Sequence, residues 1–274
     1  NILVDSSSIL VNNFSINHDK QYLRLDGKIS VEPTDKFSIE FEDFNLGNLN
    51  IFTRSGGFEI KGILNGNASV TDLYKNLLFY SSLTVDTLVI NNERLGYTII
   101  NSIWDNNKKS VNINAIAKRG QLNTFAVSGD YFPKDNGKIK LDVELNKLRL
   151  NIINPYFQNA FTDFSGIASG NLALTGNTSK PLINGELKFQ KTAFTINYLN
   201  SRYNFTDRIR IVNNDIFFDN IKLIDIYGNF AHLKGVVKST YFRNFNFNLR
   251  IDADNLLFLN TTQFDNNLFY GTAF

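Results

Sequence analysis

The sequence has no cysteine, no methionine, four prolines, one tryptophan and two histidines in 274 residues. Without cysteine there can be no disulfide, thiolate nucleophile or zinc–thiolate centre. The histidines, His18 and His232, lie far apart, and neither sits near a serine nucleophile motif. No phosphate-binding loop or dinucleotide fingerprint is present. The chain therefore reads as a non-enzyme with no cofactor and no metal. Long apolar runs are also missing: none approaches the ~18 residues that a membrane-spanning helix requires. The net charge is only +2, and Lys108-Lys109 and Lys118-Arg119 are isolated pairs, so no basic footprint for nucleic acid is expected. Because Asn1 is not a methionine, the chain reads as a piece of something longer, with room upstream for a targeting segment.

Phenylalanine, with 25 residues, is plentiful, and it falls in a regular pattern. In Phe245–Ala253, the residues Phe245, Phe247, Leu249, Ile251 and Ala253 alternate with Asn246, Asn248, Arg250 and Asp252. Strand side chains point alternately to two faces, so this stretch has one apolar and one polar face. The same alternation runs through Phe37/Ile39/Phe41, Ile139/Leu141/Val143 and most other windows. Asp26-Gly27, Asn65-Gly66, Asp135-Asn136-Gly137, Asn184-Gly185 and Asn213-Asn214-Asp215 read as turns between strands. The pattern predicts an all-β fold of about 25 short strands. Helix is expected only over Asn154–Phe161, which has an N-cap residue followed by proline, and more weakly over Leu49–Ser55.

An internal repeat organises the chain. Gly62-Ile63-x-x-Gly66-Asn67-x-x-x-Thr71 recurs as Gly166-Ile167-x-x-Gly170-Asn171-x-x-x-Thr175. Gly27, Gly129 and Gly235 recur at similar spacing, and Tyr131-Phe132 matches Tyr241-Phe242. We read 1–274 as one continuous repeat-built segment: the end of one unit over 1–26, full units near 27–128 and 129–234, and a partial one over 235–274. No Pro/Gly/Ser-rich linker separates them, which favours strand pairing that runs on through the joins.

A one-sided sheet must bury its apolar face. Helices are too few to cover it. Two solutions remain: closed two-sheet sandwiches, which would suit a structural or adhesive repeat protein, or a long folded-over sheet that keeps a hydrophobic groove. The repeat, the missing linkers and the wealth of phenylalanine favour the groove. Its expected lining is Phe37, Ile39, Phe41, Ile139, Leu141, Val143, Leu187, Phe189, Phe194, Ile196, Ile209, Ile211, Phe218, Ile221, Leu223, Phe245, Phe247, Leu249 and Ile251. An acyl chain is the natural occupant, since at about 0.8 kcal/mol per buried methylene a sixteen-carbon chain gains on the order of 10 kcal/mol. On the polar side, Asp252 and Asp254 read as a solvated edge rather than a cation site. Arg208 and Arg210 read as solvated rather than as partners of lipid phosphate.

The pattern Gly166-x-x-x-Gly170-x-x-x-x-x-Gly176, followed by Pro181-x-x-x-Gly185-x-Leu187, resembles the AsmA-like inter-membrane bridge family. Phe194-Thr-Ile-Asn-Tyr198-Leu199, Tyr203-Asn-Phe205 and Asp225-Ile-Tyr-Gly228-Asn229, running on to Gly235, resemble its TamB (translocation and assembly module) branch. The resemblance covers the whole chain and is strongest from Leu141 to Phe274. It implies a taco-like sheet with a greasy interior and a place in the periplasm of a diderm bacterium. It also implies phospholipid movement between inner and outer membranes, and a partner barrel of the Omp85 class in the outer membrane. The family's inner-membrane helix would lie outside this stretch, and the family carries no catalytic residues to transfer.

Overall fold

The computed structural model describes residues 1–54, 57–72, 78–157, 160–241, 243–264 and 268–274. It is all-β, with 72% of residues in strands and 7% in helix. In chain order the first strands are β1 (Ile2–Val4), β2 (Ser8–His18), β3 (Gln21–Ser30), β4 (Lys36–Asn45), β5 (Ile60–Thr71) and β6 (Leu78–Ile90). Next come β7 (Glu93–Asp105), β8 (Ser110–Arg119), β9 (Leu122–Phe132), β10 (Lys138–Arg149), β11 (Phe161–Asn177) and β12 (Lys180–Ile196). The series ends with β13 (Ser201–Val212), β14 (Asp215–Ile224), β15 (Phe230–Thr240), β16 (Arg243–Ala253), β17 (Leu259–Thr261) and β18 (Gly271–Ala273).

β1 to β16 form one antiparallel sheet in strict sequence order, not closed into a barrel, and β17 and β18 pair separately. Within β1–β16 each strand pairs with its chain neighbour.

The strands are fewer and longer than the pattern predicted. β11 and β12 have 17 residues each. The reason is that several expected turns are not turns. Asp26-Gly27, Asn65-Gly66 and Asn184-Gly185 lie inside β3, β5 and β12, whereas Asn136-Gly137 and Asn213-Asn214 do make turns. Gly129 and Gly235 likewise stand inside β9 and β15.

The mid-strand dipeptides have a different task. β2 bulges between Val11 and Phe14, and Asn13 there takes a φ of 50°. Its N–H donates to Asp26 Oδ1 at 2.9 Å. β4 bulges between Phe41 and Phe44, and the N–H of Asp43 donates to Asn65 Oδ1 at 2.8 Å. An extra residue in one strand leaves an amide out of the ladder. The side chain before the glycine on the next strand accepts from it.

Gly235 shows why glycine follows. Its φ is 127°, and a Cβ there would stand 2.1 Å from the carbonyl oxygen of Asn248 on β16. Only glycine lets the neighbouring backbone approach so closely.

Two short helical stretches interrupt the strands. A 3₁₀ turn, Leu46–Leu49, leads into α1 (Asn50–Thr53), and another, Leu150–Ile153, leads into α2 (Asn154–Phe157). Both expected helices are therefore present, each with a turn of α-helix among the described residues. Ser55 at the end of the first, Gln158 and Asn159 in the second, and Phe242 of the Tyr-Phe match lie outside the described residues.

The two stretches are built alike. Each opens on a buried leucine, Leu46 or Leu150. The N–H of Ile60 donates to Asn50 Oδ1 at 2.8 Å, and that of Phe164 to Asn154 Oδ1 at 3.1 Å. From 46 to 150, 50 to 154 and 60 to 164 the step is 104 residues each time.

The chain divides into two compact units. The first comprises Asn1–Ile90, Arg94–Val143 and Thr175–Ser179, and the second Asn91–Glu93, Glu144–Leu174 and Lys180–Phe274. In the first, Leu46, Leu64 and Val85 form a core with Phe41, Phe44 and Leu83, and Trp104 and Val111 form another with Val70 and Phe79. In the second, Phe205, Ile209, Ile221, Leu223 and Leu233 pack with Phe189, Phe194, Ile216 and Phe218. Each core draws on several adjacent strands of a single apolar face, which is how a one-sided sheet buries itself without a helical layer.

Candidate functional site: the apolar face

Strand register decides which side chains share a face. In the first unit, Leu25 pairs with Ile39, Leu23 with Phe41 and Gly27 with Phe37. Across the next ladder, Phe37 pairs with Val70 and Ile39 with Ala68. Phe37, Ile39 and Phe41 thus stand in one stripe, all half-buried. Ile139, Leu141 and Val143 alternate along β10; Ile139 is buried and the other two are half-buried.

In the second unit, Leu187 pairs with Ile209, Phe194 with Tyr203 and Ile196 with Ser201. Ile211 faces Ile216, and Phe218, Ile221 and Leu223 face Gly235, Leu233 and Ala231. The rows continue onto β16: Gly235 to Leu249, Leu233 to Ile251, and Val237 to Phe247. Phe245 is two residues before Phe247 and shares its face. Phe189 alone meets a charged partner, Asp207.

The expected lining residues of the second unit therefore share one face, but they differ in cover. Leu187, Ile209, Ile221 and Leu223 are buried, with Ile221 only 1% exposed. Phe189, Phe194, Ile196, Ile211 and Phe218 are half-buried. On β16, Phe247 is 61% and Ile251 54% exposed, and Phe245 and Leu249 are exposed too. The stripe is packed along β12–β15 and open on β16. Exposed large apolar side chains thus form a row on one face of β16.

The sequence reading missed several members of this face. Phe157, Phe161 and Phe164 join Phe194 in a chain of ring contacts, with centroids 5.6 to 6.4 Å apart. Phe194 and Phe189 both touch Phe205. Phe161 and Phe164 differ in parity and flank Asp163, whose φ is 57°, so simple alternation does not put both rings on one face.

The opposite face is polar. Arg208 pairs with Glu186 at 2.6 Å and Arg210 with Asp219 at 3.4 Å, so both arginines lie among carboxylates on the outward side. Asp252 accepts from Arg250 Nε at 2.7 Å. His18 is exposed beside Asp19, and the His232 ring stands against Phe230. No group of three or more His, Asp or Glu side chains among the described residues has metal-ligating geometry.

One buried carboxylate stands out. Asp225, at the β14–β15 turn, is 2% exposed. It accepts from the N–H groups of Leu257, Tyr227 and Asn229, at 2.8, 2.9 and 2.9 Å, and from Asn229 Nδ2 at 3.1 Å. Burial pushes this carboxyl up, but those bonds outweigh it and hold it below the ordinary value. The Tyr203 hydroxyl donates to the Leu257 carbonyl at 2.7 Å, and burial raises its own pKa. The segment after β16 is thereby latched to the end of the sheet, with Leu256 and Leu257 buried.

Fold and site define a class: an all-β protein built as one in-order antiparallel sheet, apolar on one face. Residues 1–189 match the family model described as TamB, N-terminal domain. The chain belongs to the TamB family. The match ends before Phe194–Gly235, where the finer resemblance lies, and takes in the first part of the chain, where the likeness of motifs is weaker. No curated protein and no solved structure matches it significantly.

Proposed function

We propose that this chain is a segment of a bridge in the envelope of a diderm bacterium, carrying phospholipid between inner and outer membranes along the apolar face of its sheet. The observation that carries this reading is the continuity of the stripe through cross-strand register, from the packed rows of β12–β15 to the exposed row of β16. Family membership supports the same assignment. Acyl chains would lie on the exposed row, where methylene contact replaces water at about 0.8 kcal/mol per group. The buried rows below supply the rigid floor. An outer-membrane barrel of the Omp85 class and an inner-membrane helix beyond this stretch would complete the path, and the periplasm would be its place.

Mass spectrometry of lipid released from the purified chain is the direct test. Phospholipid should be recovered from the wild type and lost from Phe247→Glu/Ile251→Glu, with the circular dichroism of both proteins alike. Wild-type protein free of lipid after gentle purification and after incubation with phospholipid vesicles would refute the proposal.

A further inference from the structure

The sequence holds three Asn-Gly dipeptides, Asn65-Gly66, Asn136-Gly137 and Asn184-Gly185, and the fold treats them differently. In such a dipeptide no side chain on the glycine shields its nitrogen from the asparagine Cγ. Asn65 and Asn184 are half-buried inside β5 and β12, each a strand with a neighbour on both sides. Their Oδ1 atoms accept from the N–H groups of Asp43 and Asn213, both at 2.8 Å. Gly66 is paired with Phe41 on one side and Leu83 on the other, and Gly185 with Ile211. Asn136 is exposed in the turn between β9 and β10, and its side chain makes no hydrogen bond among the described residues. The turn is closed by the Lys138 N–H, which donates to the Asp135 carbonyl at 3.0 Å, and the Gly137 N–H has no backbone acceptor among the described residues.

We propose that Asn136 is a site of spontaneous deamidation and isomerisation, and that Asn65 and Asn184 are protected from it by the sheet. The Gly137 nitrogen loses its proton and attacks Asn136 Cγ. The new C–N bond closes a succinimide ring, and the side-chain nitrogen leaves as ammonia with that proton. Water then opens the ring at one of its two carbonyl carbons. Opening at the main-chain carbonyl leaves isoaspartate, with the chain running through the former side chain; opening at the other leaves aspartate. The net change is one water in and one ammonia out, and nothing is oxidised or reduced. Ring closure requires Asn136 to leave its φ of 51°. In an exposed turn only the turn has to move, whereas in β5 or β12 the ladders must break first. The product matters locally. The Gly137 carbonyl accepts from the Thr178 N–H at 3.1 Å, joining the β9–β10 turn to the β11–β12 turn within the first unit. The approach is close: a Cβ on Gly137 would stand 3.0 Å from Thr178 Oγ1. The extra backbone atom of isoaspartate displaces that carbonyl and releases the Thr178 amide. None of this depends on lipid conduction.

The test is peptide mapping by mass spectrometry of the purified chain aged at mildly alkaline pH, folded and in urea. Asn136 in the folded chain should convert within about tenfold of its rate in urea, while Asn65 and Asn184 should be slowed more than about hundredfold, as expected for strands that must open locally before they react. The Asn136 product should be labelled by an isoaspartyl methyltransferase. Asn136→Gln should abolish the signal at this position, since glutamine must close a larger ring. Hydrogen exchange on the aged wild type should show faster exchange at Thr178, with the amides of β8 unchanged. Asn136 stable in the folded chain but reactive in urea, or Asn65 and Asn184 converting as fast as Asn136 in the folded chain, would overturn the proposal. Full protection at Thr178 in the isoaspartyl form would overturn the structural consequence drawn from it.

Discussion

Removing the Asp225 carboxylate should release the segment that follows β16. Four donors converge on it, and one of them, the N–H of Leu257, belongs to a residue with no exposure at all. Asp225→Ala strands those donors. A buried N–H left without a partner costs about 1–3 kcal/mol, and breaking a buried charged network about 3–5 kcal/mol, so we expect a loss of about 3–5 kcal/mol in the second unit. Asp225→Asn keeps one acceptor oxygen and should lose about 1–2 kcal/mol. Amide hydrogen exchange reads the effect locally: Leu257 should lose protection first, while the amides of β13 and β14 keep theirs.

The pH dependence gives a second, independent readout. The bonds to Asp225 hold its folded-state pKa below the ordinary carboxylate value. A carboxyl depressed on folding contributes stability above its unfolded pKa, and that contribution fades as pH falls through the folded value. The gap between wild type and Asp225→Asn should therefore be full at neutral pH and shrink below about pH 4, because the neutral amide cannot titrate. Urea melts at pH 7, 5 and 3 measure it. A gap that is absent at pH 7, or constant down to pH 3, would refute the latch.

Three further substitutions test the sheet itself. Gly235→Ala should cost more than about 3 kcal/mol or unpair β16, since it adds a Cβ 2.1 Å from a backbone oxygen at positive φ, read as lost exchange protection on β15 and β16. Ile221→Ala should cost about 2–4 kcal/mol in denaturant melts, whereas Phe247→Ala on the same face should change stability by less than about 1 kcal/mol, because one is buried and the other open. Asn65→Ala should cost about 0.5–1.5 kcal/mol by removing the acceptor for the Asp43 amide, seen as faster exchange at Asp43.

Much of the fold was legible because period-two alternation is a direct print of strand geometry. Phe245 to Ala253 needed no structure to be placed on one face. What stayed hidden was where the alternation slips. Phe41 and Phe44, Phe189 and Phe194, and Phe218 and Ile221 differ in parity, yet each pair meets its neighbours on one face because a bulge lies between them. The bulge residues Asp43, Lys191 and Asn220 take φ values of 46°, 49° and 69°. An asparagine or aspartate there can be suspected from sequence, since both tolerate positive φ, but a lysine cannot. The Asp-Gly and Asn-Gly dipeptides misled for the same reason. Their chemistry, a short polar acceptor followed by an unhindered backbone, is what a hairpin turn needs and equally what a bulged neighbour needs. Local sequence does not say which strand supplies the amide.

That ambiguity bears on function. A long one-sided sheet that stayed flat would leave its whole apolar face open, and exposed strands of that kind aggregate. Bulges increase local twist and bend a strand, and glycine lets the next strand approach at the bend. Bulges of this kind therefore help to decide how much of the stripe each unit can bury in its own core. In the second unit that burial is complete at Ile221 and Leu223 and ends at β16, where Phe247 and Ile251 remain uncovered. The exposed row is thus bounded by the same geometry that packs the rows beside it. A change that straightens a bulge, such as replacing Asn220 with a β-branched residue, should raise the exposure of Phe218 and Ile221 and increase binding of an apolar dye. If dye binding stays at the wild-type level while the substitution destabilises the unit, the bulges hold the strands together but do not set how much of the face is open.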